Sequence, residues 1–202
     1  MALFVGSDGQ CTEDARTAIR LGFHDAGAWS KTSGFGGADG SMLLNAEEPT
    51  RGENKGLEEI IVTGQGLLAK YKSFGVGAAD LVQFMATVAT VSCPLGPRVL
   101  TLVGRSDNAA SPTGLLPGVF FDSTTIISLF EDKTICPDDL AALVGAHSTS
   151  AQDIVDPARA GAPQDSTPGV WDVKFYTETV DQDAPAYAPA PVIVLQLTLT
   201  NT

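Results

Sequence analysis

The only two histidines of the chain, His24 and His147, best combine residue type and spacing for chemistry. Arg20 lies four positions before His24, so on a helix both side chains project from one face. A neutral imidazole can move a proton between two oxygens, and a guanidinium stabilises negative charge on a leaving oxygen. Such a pair is suited to cleaving the O–O bond of a peroxide. The competing interpretation is structural, because an isolated histidine is more often a packed residue than a functional one.

Helices are the predicted elements that would position these residues. Segment 12–27 predicts a helix, with Thr12 as its N-cap and acidic residues in its first turn. Apolar spacing predicts further helices over 57–74, 78–91, 123–130 and 137–148. The helix over 78–91 is apolar nearly all round and is therefore expected to be buried. In the last helix, Leu140, Val144 and His147 share a face, which places His147 on a buried stripe.

The remaining segments are predicted to be irregular. Segment 34–41 is rich in glycine, segment 95–116 contains two prolines, and periodicity is lost over 152–170, so all three predict loops. Segment 171–180 is compatible with a strand or a short helix. Beyond it, 184–191 is rich in proline and alanine, and 192–200 is strand-like.

Composition excludes some partners and leaves the redox compartment open. The 202 residues carry a formal net charge of −12, with a pI near 4.3, which argues against binding to nucleic acid or anionic membranes. No segment approaches the roughly 20 apolar residues of a membrane span, and residues 1–5 lack the features of a signal peptide. The three cysteines would be thiols in the cytosol, whereas in a secreted protein two would pair and one would remain.

A series of motifs in order resembles the plant, fungal and bacterial haem peroxidase superfamily. The motifs are Phe23-His24-Asp25 with 36–41, then 52–57, 104–107, 146–148 and 165–168. The resemblance covers roughly residues 4–178 and is closest to the secreted fungal (class II) members of ascomycete type. It implies a mainly α haem-peroxidase fold, with a distal helical half over 1–135 and an incomplete proximal half over 136–202.

The resemblance also implies a cofactor and roles for individual residues. Haem b would be held by His147 as axial iron ligand, with Phe23 covering the distal face, where peroxide binds. Asn54 would bond His24 so that the other ring nitrogen stays basic, and Glu53 would help to position this loop. Alternatively, Asn54 is a turn residue and Phe23 packs in the core.

Two calcium ions are implied as well, since calcium takes six to eight oxygen ligands from carboxylates, hydroxyls and carbonyls. The first ion would be bound by Asp25, Gly37, Asp39 and Ser41. The second would be bound by Ser148, Asp165, Thr167, the carbonyl of Val170, and Asp172. Without the resemblance, the same residues would be interpreted as polar loops.

The sequence departs from the family pattern at several positions. No segment supplies the aspartate that accepts a hydrogen bond from the axial histidine in the family, and Gln164 stands where fungal members usually place a phenylalanine. Ala142 replaces the surface tryptophan of the lignin-oxidising members. At the positions of the manganese-binding carboxylates stand Glu13, Thr17 and Asp153, and the hydroxyl of Thr17 predicts weak manganese oxidation. Alternatively, the two carboxylates are a helix-terminal residue and a loop residue.

The expected protein is a monomeric, extracellular haem peroxidase. It would reduce hydrogen peroxide with Arg20, His24 and Asn54, and would oxidise small phenolic reductants in one-electron steps. In a secreted chain, Cys11 and Cys93 should be paired and Cys136 free. The odd cysteine count and the change of composition after Thr179 indicate a chain shortened at both ends. The alternative function is therefore a non-catalytic, calcium-binding remnant of such a peroxidase.

Overall fold

The computed structural model describes residues 3–180, which form a mainly α-helical structure, as predicted. The helices are α1 Glu13–Ala26, α2 Ser41–Leu44, α3 Glu58–Tyr71, α4 Ala78–Ser92, α5 Ser123–Asp132, α6 Pro137–Val144 and α7 Lys174–Val180. Two short strands are β1 Ala151–Gln152 and β2 Ala162–Pro163. The predictions for 184–191 and 192–200 lie outside the described residues.

Helix α1, which carries Arg20 and His24, begins where the sequence predicts. The hydroxyl of Thr12 accepts a hydrogen bond from the backbone N–H of Ala15 (3.2 Å), which satisfies a free donor of the first turn. Helix α1 packs closely against α4, because a Cβ added at Gly22 would lie 2.5 Å from the Cβ of Ala86. This close contact fixes the position of the helix that bears the candidate active-site residues.

The main core lies between α1, α3 and α4. Its fully buried side chains include Leu21, Leu57, Ile60 and Val82. The prediction that α4 is buried all round is wrong, because Phe84 is 54 % exposed and burial is confined to one face. Among residues 3–180, no single helix has the length and apolar composition of a membrane span. The segment from the start of α3 to Phe74 has that length and composition only when it is combined with α4, and the two are bent by 120°.

A second, smaller core joins the helices that precede the second histidine. Ile126 and Phe130 of α5 pack against Leu140 of α6, and Phe23 of α1 packs beside them. This cluster links α1 to the later part of the chain through apolar contacts. The division into a distal half over 1–135 and a proximal half over 136–202 remains a prediction.

The helix predicted over 137–148 ends earlier than expected. Helix α6 stops at Val144, and a 3-10 helix, Gly145–Thr149, contains His147. The hydroxyl of Tyr176 donates to the carbonyl of Ala141, while the N–H of Gly145 bonds the carbonyls of Ala142 and Leu143. The tighter turn rotates the following residues, so His147 is exposed and the predicted buried stripe ends before it.

The loop predicted over 152–170 contains an antiparallel ribbon. Ala151 pairs with Pro163 and Gln152 pairs with Ala162. The buried side chain of Gln152 supports the turn, because its Nε2 donates to the carbonyl of Asp156 (3.0 Å) and its Oε1 accepts from that residue's N–H (2.9 Å). Strands of two residues are too short to produce an alternating pattern in the sequence.

One disulfide connects the start of α1 to the end of α4. Cys11 and Cys93 are bonded across 82 positions, and Cys136 is free and exposed. The pairing expected for a secreted chain is therefore confirmed. Both bonded cysteines are buried in the main core, so the bond reinforces the packing of α1 on α4.

Replacing both bonded cysteines by serine is expected to lower the free energy of unfolding by about 2–4 kcal/mol, since the unfolded chain loses a long covalent loop. Denaturant titration under non-reducing conditions measures the change. Cys136→Ser serves as the control and should stay within about 0.5 kcal/mol of the parent. Equal stability of the double variant and the parent would contradict the prediction.

Candidate active site

Helix α1 brings Arg20 and His24 together, as their spacing predicts. Arg20 Nε lies 3.2 Å from His24 Nε2 and donates to it, and both side chains are partly buried. His24 Nε2 is therefore an acceptor in this arrangement. A proton-accepting nitrogen and a cationic guanidinium thus lie side by side on one face of the helix.

The guanidinium of Arg20 is held by the loop before α3. Its Nη1 donates to the carbonyl of Lys55 (2.7 Å) and its Nη2 to the carbonyl of Glu53 (3.0 Å). Nη1 also lies 3.6 Å from Asp153 Oδ2. Burial lowers the pKa of Arg20, and the nearby charge of Asp153 opposes that shift. Glu53 thus contributes through its backbone carbonyl.

Asn54 fixes the protonation pattern of His24. Its Oδ1 lies 2.7 Å from His24 Nδ1, and its Nδ2 donates to the carbonyl of Glu48 (2.7 Å). Because Nδ2 is engaged by Glu48, Oδ1 faces the ring, so Nδ1 carries the proton and Nε2 keeps its lone pair. Asn54 is 1 % exposed, which makes this arrangement rigid.

Glu48 is a residue that sequence reasoning missed. It is 1 % exposed, and its Oε2 has no hydrogen-bond partner among the described residues. Its contact with Asn54 is made by the backbone carbonyl, which any residue type could provide. A carboxylate in an acidic stretch gave no sign of burial, so the sequence alone did not single it out.

The surroundings of His24 keep its imidazole neutral. Burial, followed by the charge of Arg20, lowers its pKa to about 4, and the hydrogen bond with Asn54 opposes this shift. His147 makes a smaller contribution that also lowers the pKa. A neutral, oriented imidazole is what a general base needs near neutral pH.

His147 is held at one ring nitrogen. Its Nδ1 lies 2.7 Å from Gln164 Oε1 and 3.1 Å from Ser150 Oγ, and its ring centroid lies 5.1 Å from that of Phe175. The sequence offered no counterpart of the aspartate that accepts this hydrogen bond in the family, and here Gln164 supplies an acceptor. Although the His147 side chain is exposed to solvent, desolvation by the surrounding protein lowers its pKa and favours the neutral ring.

The contacts of Phe23 fit both interpretations given for it, a residue packed in the core and a residue that borders the candidate site. Its ring is parallel to that of Phe130, with centroids 6.2 Å apart, and meets the His24 ring edge-on at 5.8 Å. It is only partly buried. Phe23 thus belongs to the second core and also borders the candidate site.

The residues predicted for the first calcium site converge around α2. Asp25 accepts from the N–H groups of Gly40 (3.1 Å) and Met42 (3.4 Å), and Asp39 Oδ1 accepts from the N–H of Ser41 (3.1 Å). Asp39 Oδ2 is buried without a partner among the described residues. Burial is the largest cause that raises the pKa of Asp25 to about 7, with a contribution from the charge of Asp39. Gly37 is buried in the same loop.

The second predicted site follows the β-ribbon. Asp165 is 0 % exposed, its Oδ1 accepts from the N–H of Thr167 (2.9 Å), and the Thr167 hydroxyl donates to Asp172 Oδ2 (2.8 Å). The N–H of Val170 bonds the carbonyl of Thr167 (3.0 Å). Asp165 Oδ2 and Ser148 Oγ are both buried without partners in the described chain. Burial raises the pKa of Asp165 to about 6.

The three residues at the predicted manganese positions line one small cavity of about 60 Å³. Glu13, Thr17 and Asp153 share its wall with Arg20. The hydroxyl of Thr17 donates to the carbonyl of Glu13 (2.9 Å), and Asp153 Oδ1 accepts from Gly161 N–H (3.1 Å). Within residues 3–180, no group of three or more His, Cys, Asp or Glu side chains is placed to hold a metal ion.

Comparison with known proteins places the chain in a family. The peroxidase family model matches residues 4–199, which is nearly the whole chain. The chain belongs to the peroxidase family. A versatile peroxidase of Pleurotus eryngii is 36 % identical over 188 residues, with 89 % of this chain and 50 % of the relative covered. Manganese peroxidase 2 of Phlebia radiata is 38 % identical over 179 residues, with 85 % of this chain and 45 % of the relative covered.

The similarity extends to a fungal protein named simply as a peroxidase. That protein, from Arthromyces ramosus, is 36 % identical over 179 residues, with 85 % of this chain and 48 % of the relative covered. The resemblance to the fungal class II peroxidases is thus confirmed. This peroxidase chain spans about half the length of the relatives that it matches.

Peroxidase family membership implies haem, and the residues of this chain fit such a group. His147 Nε2 makes no hydrogen bond to any residue in 3–180, while Nδ1 is engaged by Gln164. A neutral imidazole with one nitrogen tethered and the other available is the usual protein ligand of an iron ion. His24, by contrast, has an unprotonated Nε2 that accepts a hydrogen bond from the cationic Arg20.

Proposed function

We propose that this peroxidase binds haem b through His147, reduces hydrogen peroxide, and oxidises small phenolic reductants in one-electron steps. One observation carries the proposal. His24 has Nδ1 bound to Asn54 Oδ1 at 2.7 Å and Nε2 at 3.2 Å from Arg20 Nε. This arrangement combines a general base, the residue that orients it, and a fixed cation.

The proposed role of His24 is to relay one proton. Nε2 would take a proton from one oxygen of hydrogen peroxide and return it to the other oxygen, which could then leave as water once bound haem supplies the two electrons that break the O–O bond. Asn54 keeps Nδ1 protonated throughout, so only Nε2 exchanges a proton with the substrate. Haem supplies the redox chemistry when it is bound.

The proposed role of Arg20 is electrostatic. Its guanidinium is anchored to the carbonyls of Glu53 and Lys55, so it does not have to reorganise as charge develops on the departing oxygen. The ion pair between Arg20 Nη1 and Asp153 Oδ2, at 3.6 Å, further restrains the guanidinium. Partial burial strengthens its interaction with a developing negative charge, because the local dielectric constant is lower than in water.

We further propose small, soluble reductants and an extracellular location. Ala142 provides no surface tryptophan, so oxidation of bulky lignin models by that route is not expected. The Cys11–Cys93 disulfide is typical of proteins that fold in an oxidising compartment. We propose that the protein acts as a monomer, without nucleic acid or membrane partners, in keeping with its net charge of −12.

The test of this function is reconstitution of the purified chain with haem. A Soret absorption band, followed by peroxide-dependent oxidation of a simple phenol, is the expected result. Haem in buffer and haem with denatured chain are the controls for non-protein activity. A chain that binds calcium but gives neither result would instead be the non-catalytic remnant.

We propose a calcium ion at each of the two acidic sites described above. The support is the buried, unpartnered oxygens, which are Asp39 Oδ2 at the first site, and Ser148 Oγ and Asp165 Oδ2 at the second. A buried carboxylate oxygen without a donor is costly unless a cation compensates for it. Hydroxyl and carbonyl oxygens complete such sites, which suits calcium.

Removal of calcium with a chelator is expected to lower the melting temperature by about 5–10 °C. This is the shift expected when a protein loses a ligand whose free concentration was roughly 100 times its Kd. Differential scanning calorimetry with and without added calcium measures it. In Asp39→Asn, part of this calcium-dependent gain should disappear, because the variant keeps the shape but removes the charge. Glu47→Gln, at an exposed position, is the matched control. A parent protein whose melting temperature does not respond to calcium would contradict the proposal.

Manganese oxidation is expected to be weak in the parent chain and to increase in Thr17→Glu. Thr17 lines the same cavity as Glu13 and Asp153, so a glutamate there would supply the third carboxylate that a manganese ion favours. In the parent, Asp153 is already engaged by Arg20 and Gly161. Steady-state oxidation of manganese(II) by the haem-loaded chain, with Thr17→Gln as the uncharged control, measures the effect. Efficient turnover by the parent would contradict the prediction.

A further inference from the structure

The contact between His147 and Gln164 has a direction that matters. The imidazole Nδ1 lies 2.7 Å from the amide oxygen Oε1 of Gln164. An oxygen can only accept, so Nδ1 must carry the proton and Nε2 must be unprotonated. Had the amide nitrogen faced the ring, the proton would instead reside on Nε2, which would block that nitrogen as a ligand.

The orientation of the Gln164 amide is supported by a second donor. The hydroxyl of Ser150 donates to the same oxygen, Oε1, and Ser150 Oγ itself lies 3.1 Å from His147 Nδ1. Two donors therefore converge on one oxygen of Gln164. With the amide in this orientation, the Nδ1 proton and the hydroxyl proton of Ser150 share Oε1 as their acceptor.

The backbone places Gln164 at this position. Gln164 directly follows β2, and its N–H donates to the carbonyl of Ser150 (3.0 Å), which extends the pairing of β1 with β2 by one step. Ser150 in turn follows the 3-10 helix that contains His147, and its N–H bonds the carbonyl of His147 (3.3 Å). The ribbon thus holds the amide against the imidazole with few free torsions.

We propose that Gln164 is a positioning residue that sets the tautomer of His147 with a neutral acceptor. The amide oxygen keeps Nε2 available as a ligand, and the absence of a negative charge keeps the ring from acquiring imidazolate character. This inference rests on the proposed function, because the available Nε2 is meant for haem iron. A less electron-rich ligand favours ferrous over ferric iron, so the reduction potential of bound haem is set high.

The tautomer is tested on the full chain without haem. The chain has only two histidines, so ¹⁵N–¹H correlation spectra of the rings can be assigned with His24→Gln. At pH 8, His147 is expected to be protonated on Nδ1 in the parent and in Gln164→Glu. The double variant Gln164→Leu, Ser150→Ala should show a mixture of tautomers. A parent ring protonated on Nε2, or a double variant identical to the parent, would overturn the proposal.

The charge effect is tested on the haem-loaded chain. In Gln164→Glu, the ferric to ferrous ratio at a fixed potential is expected to rise about tenfold, equivalent to a midpoint potential about 59 mV lower. The Fe–histidine stretching frequency in the ferrous protein should rise in parallel. Ala142→Glu adds the same charge at an exposed position of α6 and is the matched control. Equal shifts in both variants, or none in Gln164→Glu, would overturn the proposal.

These outcomes are distinguishable from failure of the proposed function. If the chain binds no haem, the Soret band is absent and the proposed function fails, while the tautomer experiment still tests the role of Gln164. If haem binds through His147 but substitution of Gln164 changes neither the reduction potential of the haem nor the tautomer of His147, only the proposed role of Gln164 fails. Far-ultraviolet circular dichroism of each variant verifies that the helical fold is retained.

Discussion

His24→Ala is expected to slow the reaction of the haem-loaded chain with hydrogen peroxide by about 10²- to 10⁴-fold while haem stays bound. The variant removes the proton-accepting Nε2 that lies 3.2 Å from Arg20 Nε, but it leaves His147 untouched. Stopped-flow measurement of the Soret absorbance gives the rate, and the equilibrium spectrum gives the haem content. A parent-like rate in His24→Ala would remove this histidine from the mechanism.

The same rate should depend on pH with a midpoint near 4. Burial lowers the pKa of His24 to about 4, and only the neutral ring can accept a proton. The rate should therefore be constant above the midpoint and fall as the pH drops through it. In Asn54→Ala, the hydrogen bond that opposes the shift is lost, so the midpoint should move to lower pH as the rate falls.

His147→Ala is expected to abolish tight haem binding, because His147 is the one other histidine of the chain and its Nε2 is available. Gel filtration after reconstitution, followed by the Soret absorbance of the protein fraction, measures the loss. Added imidazole should restore part of the bound haem by replacing the missing side chain. A variant that keeps the parent spectrum and coordination state would show that iron is bound elsewhere.

The helices were predictable because their determinants are local. The boundaries of α1 follow from the Thr12 cap and the apolar spacing, and both were found as predicted. Arg20 and His24 meet because they lie four positions apart on that helix. Asn54 lies 30 positions from His24, so its contact was expected only from the resemblance to known peroxidases.

The later part of the site depends on contacts that no local pattern encodes. Helix α6 ends early where the hydroxyl of Tyr176, 35 positions away, donates a hydrogen bond to the carbonyl of Ala141. Gln164 reaches His147 only because a ribbon of two-residue strands places it there. Glu48 acts through a backbone carbonyl, which is independent of the residue type. In each case, the tertiary fold determines the contact. The sequence shows the two residues that form it but does not indicate that they meet.

The glycine in the interface between α1 and α4 has a consequence for how this enzyme family can vary. A methyl group at Gly22 would lie 2.5 Å from the Cβ of Ala86, so even alanine would force the two helices apart. His24 stands two positions further along α1, and a displacement of about 1 Å is enough to impair proton transfer. Under the role proposed for His24, substitutions at Gly22 are therefore limited by the position that this histidine must keep, although Gly22 has no functional group. The proposed proton transfer can therefore be impaired by a change at this tightly packed position as well as by a change at Arg20 or His24.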